Sequence, residues 1–197
     1  MNLDFSVIQN QKNLLAFSAG VDSSALFFLL LEQNIPFDIA IVNYNLRVQS
    51  KDEVFYAKNL ASKYKKNIFL KETKIENISN FEKNARDIRY KFFDEIILEN
   101  SYENLITAHQ LNDKLEWFMM QLSKGAGLVE LIGFNEFEQK ENHKIYKPLL
   151  NITKEELENY LKINNHKYFV DQSNFDEKYK RNYFRHNFSN KFLEEFK

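Results

Sequence analysis

The chain contains no cysteine among its 197 residues. A disulfide scaffold, a thiolate metal site and a cysteine nucleophile are therefore excluded, and the composition fits a reducing compartment such as the cytoplasm. Glycine and proline are also scarce, with 4 and 2 residues. No Pro/Gly/Ser-rich linker divides the chain into separate parts.

An excess of charge of one sign and long apolar runs are lacking as well. The formal net charge is -1, which excludes a polycation that wraps nucleic acid on all sides but allows one basic face. The longest apolar run, ALFFLLL at 25–31, is far shorter than the about 20 residues needed to cross a bilayer. The N-terminal segment has neither the basic n-region nor the apolar h-region of a signal peptide. We expect no membrane association, and the oligomeric state stays open.

Strand-like and helix-like segments alternate along the chain. Strands are predicted at 13–17, 37–44, 67–72, 104–109 and 144–150, and helices at 23–33, 50–65, 80–100, 111–123 and 154–164. This alternation indicates an α/β fold, with a parallel sheet and helices on both faces. We expect a single domain over residues 1–197, with a core at about 12–150 and a helical extension at about 153–197.

A polar hexapeptide separates two apolar runs near the N-terminus. In an open parallel sheet, ligands bind beyond the carboxyl ends of the strands, and the free amides of a following helix attract an anion. Gly20 allows phosphate to approach the backbone closely, and the carboxylate of Asp22 is best explained by Mg²⁺. The segment therefore predicts a magnesium polyphosphate site; the alternative is a serine N-cap with an incidental acid. Its residues are Ser18, Ala19, Gly20, Val21, Asp22 and Ser23.

A histidine and two acids follow the fourth predicted strand. His109 stands at the end of that strand, and Asp113 and Glu116 share one face of the next helix. Two carboxylates near a nucleotide could hold a substrate ammonium group and help to remove its proton. The alternative is a solvated acidic helix start that suits the helix dipole.

Basic and aromatic residues are interleaved near the C-terminus. Arg181 and Arg185 are four residues apart on one helix face, a pattern that suits a phosphate backbone or an extruded base. We expect Arg181 to be functional and the aromatic residues around it simply to pack. The apolar residues of the fourth helix are also interpreted as core: Trp117, Phe118 and Met120.

Four segments, in this order, resemble the motifs of the tRNA(Ile)-lysidine synthetases, a family of N-type ATP pyrophosphatases. They are SAGVDS at 18–23, like SGGxDS; EKNARDIRYKFF at 82–93, like ExxARxxRYxxF; the AHQLNDKLE stretch within 107–134, like AHHxDDQxET; and DQSNFDEKYKRNYFRHNF at 171–188, like DxSNxDxxxxRNxxRH. VNYNLR at 42–47 matches VHHxLR only weakly, although Arg47 is kept. The resemblance spans nearly the whole chain.

The resemblance implies the PP-loop ATPase fold, which is similar to the adenine nucleotide alpha hydrolases, and a two-step reaction. ATP and Mg²⁺ would adenylate the C2 oxygen of the wobble cytidine in tRNA(Ile) with anticodon CAU. Free lysine would then displace AMP to give lysidine, which changes codon reading from AUG to AUA. The implied catalytic residues are Asp22, which also holds the metal, Asp113 and Glu116. The implied substrate-binding residues are Arg86, His109 and Arg181.

Three departures from the family pattern keep alternatives open. Ala19, Gln110 and Asn112 stand where the motifs have Gly, His and Asp. If Ala19 needs a positive φ, the cost is about 1–2 kcal/mol. A non-catalytic nucleotide- or RNA-binding module is one alternative; another PP-loop ATP pyrophosphatase acting on tRNA is a second, although the lack of cysteine opposes a thiolase. No C-terminal tRNA-binding domain is recognised, so the chain is expected to be a minimal enzyme or a catalytic-domain fragment.

Overall fold

A six-stranded sheet forms the centre of the computed structural model, which describes residues 3–45, 49–75, 81–171 and 180–196. The strands are β1 Asn13–Ala16, β2 Asp38–Asn43, β3 Ile68–Glu72, β4 Asn104–Ile106, β5 Phe137–Gln139 and β6 Lys144–Tyr146. Their order is β3-β2-β1-β4-β6-β5, and only β5 runs antiparallel to its neighbour. The predicted parallel sheet is therefore confirmed, with an antiparallel edge strand in addition.

The helices of the described residues are α1 Val21–Glu32, α2 Gln49–Lys63, α3 Phe81–Asn100, α4 Leu111–Leu122, α5 Leu128–Leu131, α6 Lys154–Ile163, α7 Lys180–Phe184 and α8 Asn190–Glu195, with a π-helical segment at Arg185–Ser189 between the last two. The first four helices follow the predicted alternation with the strands, whereas α5 is an additional short helix directly after α4. Within the described ranges, no helix is both long and apolar enough to span a membrane.

Apolar residues on both faces of the strands explain why the helices cover both sides of the sheet. Successive side chains of a strand point to opposite faces. Leu15 packs into the cluster formed with α1, α2 and α6, whereas Leu14 packs into the cluster formed with α3. Both leucines are fully buried. Burial on two faces makes the central strands of a parallel sheet read as continuous apolar runs.

Reciprocal capping fixes the start of α6 beside α1. The Thr153 hydroxyl accepts a hydrogen bond from the Glu156 amide at 3.2 Å, and the Glu156 carboxylate accepts one from the Thr153 amide at 2.7 Å. Thr153 and Glu156 thus form a capping box, in which two backbone amides at the start of the helix gain partners. Leu157 and Leu161 are then buried against the α1 side of the core.

Candidate active site

The crevice between β1 and β4 lies where the strand order changes direction. β1 pairs with β2 on one side and with β4 on the other, and Leu15 is in register with Ile106. The loops that leave these two strands therefore lie side by side at their carboxyl ends. This is the position at which open α/β sheets bind ligands. It carries the 18–23 loop after β1 and the segment with His109, Asp113 and Glu116 after β4.

Two serine hydroxyls shape the loop between β1 and α1. The Oγ atoms of Ser18 and Ser23 lie 3.0 Å apart, and the Ser23 Oγ accepts a hydrogen bond from the Ser18 amide at 3.2 Å. Gly20 is the N-cap of α1, and a glycine has no side chain that could cap the first amides of this helix. An anion can therefore interact with these amides and with the positive end of the helix dipole.

Ala19 adopts a left-handed backbone conformation, with φ of 60°. Its carbonyl oxygen accepts a hydrogen bond from the Phe169 amide at 2.9 Å, and its side chain is fully buried. Tertiary contacts thus hold a non-glycine residue in a region that costs about 1–2 kcal/mol. This explains the glycine of the family motif at this position, because glycine adopts a positive φ without that steric cost.

Asp22 is a partly buried carboxylate whose Oδ1 atom has no hydrogen-bond partner in the described part of the chain. Burial, followed by the nearby negative charge of Asp113, raises the pKa of Asp22 to about 7. Such a carboxylate gains from a cation. No group of three metal-binding side chains occurs among the described residues, but Mg²⁺ commonly takes one or two carboxylates and completes its shell with phosphates and water. Asp22 fits that mode of binding.

Two acids of α4 meet two arginines of the C-terminal helices, and we call Asp113, Glu116, Arg181 and Arg185 the carboxylate–arginine cluster. Glu116 is fully buried. It accepts hydrogen bonds from Arg181 Nε at 2.7 Å and from Arg185 Nε and Nη2 at 2.6 and 3.1 Å. Asp113 Oδ1 accepts from Arg181 Nη2, and its Oδ2 accepts from the Gln110 amide at 3.1 Å. The cluster therefore ties α7 and the π-helical segment to the crevice.

His109 follows β4 at the same crevice. Burial lowers the pKa of His109 to about 4; the carboxylate of Asp113 raises it, and the positive charges of Arg181, Lys147 and Arg86 lower it, so that the imidazole favours its neutral form. Its Nδ1 atom shares a hydrogen bond with Thr107 Oγ1 at 2.9 Å. A neutral imidazole can donate one hydrogen bond and accept another.

The remaining sequence-based candidates have different outcomes. Arg86 is exposed on α3, with its guanidinium carbon 4.5 Å from the centre of the Tyr90 ring. Arg47 and residues 172–179 of the last motif lie outside the described residues. The interpretation of Trp117 and Phe118 as core is wrong, because they are 37% and 38% exposed.

Two residues of the site were not chosen from the sequence. Arg185 completes the cluster around Glu116, and its signal was the four-residue spacing from Arg181. Asn112 accepts a hydrogen bond from the Lys154 amide at 3.0 Å and so joins α4 to the start of α6. Nothing in the local sequence indicates that long-range contact.

Comparisons with known proteins identify curated relatives of similar sequence. The chain is 52% identical over 192 residues to tRNA(Ile)-lysidine synthase of Campylobacter jejuni strain RM1221, covering 97% of this chain and 59% of the relative. It is 51% identical over 197 residues to tRNA(Ile)-lysidine synthase of Helicobacter hepaticus, covering 98% of this chain and 46% of the relative. The chain thus spans about half the length of these curated relatives.

A solved structure shows the same fold at low sequence identity. The U34-tRNA thiolase NcsA from Methanococcus maripaludis, which carries a 4Fe-4S cluster, superposes with a TM-score of 0.71 at 21% identity. The superposition covers 99% of this chain and 76% of that chain. A family model described as the PP-loop domain matches residues 3–192. The chain therefore belongs to the PP-loop domain family.

Proposed function

We propose that the chain carries the catalytic part of a tRNA(Ile)-lysidine synthase. The observation that supports this proposal is that the 18–23 loop, with Asp22, and the carboxylate–arginine cluster lie at one crevice. Membership of the PP-loop family implies ATP binding, and the two curated relatives bear this enzyme name. The substrates would be ATP, free lysine and tRNA(Ile) with anticodon CAU.

The 18–23 loop would hold the β- and γ-phosphates of ATP. The uncapped amides at the start of α1 and the hydroxyls of Ser18 and Ser23 can donate to phosphate oxygens. These donors stabilise the charge that develops on pyrophosphate as it leaves the α-phosphate. Asp22 would hold Mg²⁺, which when bound supplies further charge neutralisation.

The two carboxylates of the cluster would have different roles. Glu116 is fully buried and already accepts three hydrogen bonds from the two arginines, so it positions the arginines. Asp113 accepts two hydrogen bonds, and a carboxylate has about four acceptor sites. We therefore assign to Asp113 the contact with the lysine ammonium group and the removal of its proton.

His109, Arg86 and Arg181 would receive the other substrate groups. The neutral imidazole of His109 can hydrogen-bond to a base, because it stays uncharged beside three cationic residues. Arg181 has a side chain 39% exposed and can pair with the lysine carboxylate or with an RNA phosphate as well as with Asp113. Arg86 adds positive charge at the exposed rim, which favours RNA.

A sulfur-transfer activity like that of the thiolase fits this chain less well. Cysteine thiolates are the usual ligands of iron–sulfur clusters, and the chain has none. The structural likeness to the thiolase supports the fold alone, at 21% identity.

Incorporation of labelled lysine into total tRNA tests the proposal. We expect label in the tRNA fraction that depends on ATP and Mg²⁺, with one pyrophosphate released per lysine joined. Asp22→Ala is the inactive comparison, and Asp52→Asn, an exposed acid on α2, is the matched control. Pyrophosphate release without lysine incorporation would identify a different PP-loop reaction. The absence of both pyrophosphate release and lysine incorporation would favour the non-catalytic binding module.

A further inference from the structure

A row of three aromatic rings leads from the crevice to the protein surface. The ring centres of His109 and Phe134 are 5.3 Å apart, and those of Phe134 and Trp117 are 6.0 Å apart. We call these three residues the aromatic row. Its inner end is a proposed substrate residue, and its outer end, Trp117, is 37% exposed. The row is therefore continuous with the crevice.

The outer ring is fixed rather than loosely placed. The Trp117 indole N–H donates a hydrogen bond to the Glu130 carbonyl at 3.1 Å, which ties α4 to α5. Phe134 supports the indole from one side at an interplanar angle of 38°. An exposed aromatic ring held in this way presents a stacking surface without a large entropy cost on binding.

Positive charge lies along the inner part of the aromatic row. The Lys147 ammonium is 5.6 Å from the centre of the Phe134 ring. It also donates hydrogen bonds to the Asn135 carbonyl at 3.0 Å and to the Glu138 carboxylate at 3.3 Å. Exposed Arg86 is also close enough for its positive charge to act on His109. Aromatic rings next to cationic side chains match the chemistry of single-stranded nucleic acid, with bases on the rings and phosphates near the cations.

We propose that Trp117 and Phe134 form a stacking site for an unpaired base next to the nucleotide that is modified. This inference rests on the proposed function, since the modified nucleotide must leave its stack and enter the crevice near His109. The adjacent nucleotide then passes the crevice rim, where the aromatic row emerges. Single-stranded loops are recognised in this way because unstacked bases pack on aromatic side chains.

The intrinsic fluorescence of the protein gives a direct test, because Trp117 is the only tryptophan of the chain. Titration with the anticodon stem-loop of tRNA(Ile) with anticodon CAU should quench its emission. A fully paired duplex of the same sequence should leave the emission nearly unchanged. Equal quenching by the stem-loop and the duplex would overturn the proposal, and so would the absence of quenching by either RNA. The emission could also change with protein concentration in the absence of RNA, with a dimer detected by sedimentation. That result would assign the surface to a second copy of the chain and would also overturn the proposal.

Variants of Trp117 separate ring stacking from a structural role. Trp117→Leu keeps apolar volume but has no ring, and we expect about 5- to 100-fold weaker binding of the stem-loop. Trp117→Phe loses the indole hydrogen bond but keeps a ring, and it should bind within about threefold of the parent protein. Phe55→Ala, which removes an exposed aromatic ring on α2, is the matched control. Equal weakening in the Leu and Phe variants would show a structural role and refute stacking.

The two proposals can fail separately. Lysine incorporation with an unchanged KM for tRNA in Trp117→Leu would refute the stacking site alone. Selective quenching by the stem-loop in a protein that incorporates no lysine would support the stacking site and refute the lysidine synthase assignment.

Discussion

Replacing Asp22 by asparagine should make the ligand-free protein more stable at alkaline pH and should abolish its activity. The side chain keeps its shape but loses its charge. Burial, together with Asp113, raises the pKa of Asp22 from 3.8 to about 7. The folded protein therefore binds this proton more tightly than the unfolded chain does. Ionised Asp22 costs free energy of folding.

The sign and size of the effect follow from these two pKa values. Below about pH 4 the carboxyl is protonated in both states and costs nothing. The cost grows as pH rises from about 4 to 7 and levels off above that range. One pKa unit corresponds to 1.36 kcal/mol, so the full cost is about 4 kcal/mol. Between pH 5 and pH 8 the wild-type protein should lose about 2–3 kcal/mol through this group.

Urea denaturation at several pH values measures this difference. The stability of Asp22→Asn relative to wild type should rise by about 2–3 kcal/mol from pH 5 to pH 8, at similar m-values. Titration of His109 affects both proteins and cancels in the comparison. Asp52→Asn, which changes an exposed acid, should follow the wild-type pH dependence.

Activity and ligand binding complete the test. Asp22→Asn should lose pyrophosphate release, and MgATP should raise the stability of wild type but not of the variant, because a ligand stabilises only the state that binds it. A relative stability independent of pH would refute the desolvated position of Asp22. Normal pyrophosphate release in the variant would refute the assignment of the loop.

Three further substitutions test other parts of the site. Ala19→Gly relieves about 1–2 kcal/mol of backbone strain at φ of 60°, but it loses a buried methyl group and adds chain entropy. Its stability in urea should stay within about 1 kcal/mol of wild type and its activity within about tenfold. Glu116→Gln removes the charge that holds two arginines and should cost about 3 kcal/mol in urea denaturation. Asp113→Asn should still adenylate tRNA but need much more lysine, or accumulate AMP-linked tRNA, in rapid-quench mass analysis.

Each of these expectations has a control or a contrary result. A tenfold rise in the activity of Ala19→Gly, about 1.4 kcal/mol in the barrier, would show that strain limits the enzyme. Glu99→Gln, on the exposed side of α3, should change stability by less than about 0.5 kcal/mol. A comparably small effect of Glu116→Gln would contradict the role of the cluster. Equal losses of adenylation and lysine transfer in Asp113→Asn would place that acid in the ATP site.

The sequence was sufficient for the parts of the fold that are set by burial. The strands β1, β2 and β4 appear as apolar runs and the long helices as helical stripes, because both faces of the central sheet are covered. The half-buried edge strand β3 was predicted as well. The predicted strand at 104–109 overshoots, since β4 ends at Ile106 and the chain then turns into the crevice. The edge strand β5 was missed because its three residues are exposed and only pairing with β6 defines it.

The candidate site was predictable where its signals are local. The 18–23 loop, His109 and the two acids of α4 each follow a strand, so the topology brings them together. The spacing of Arg181 and Arg185 was visible in the sequence, but their pairing with Glu116 was not, because the two arginines lie 65 and 69 residues from it along the chain. Trp117 was misassigned for a related reason. Its position on α4 fits the core pattern, but in the structure its ring contacts Phe134 and the α5 backbone and stays 37% exposed.

Residues 18–23 are also a segment where the structure departs from what stability alone would select. Ala19 occupies a backbone conformation that suits glycine, and Asp22 has an unpaired, buried carboxylate oxygen. Neither feature improves the ligand-free protein. Both are understandable if the loop is shaped to surround phosphates and a cation, because these would supply the missing interactions on binding. Under the proposed function, the departure from local rules at these residues has a functional reason. In the sequence, the segment stands out by its hydroxyls, glycine and carboxylate between two apolar runs.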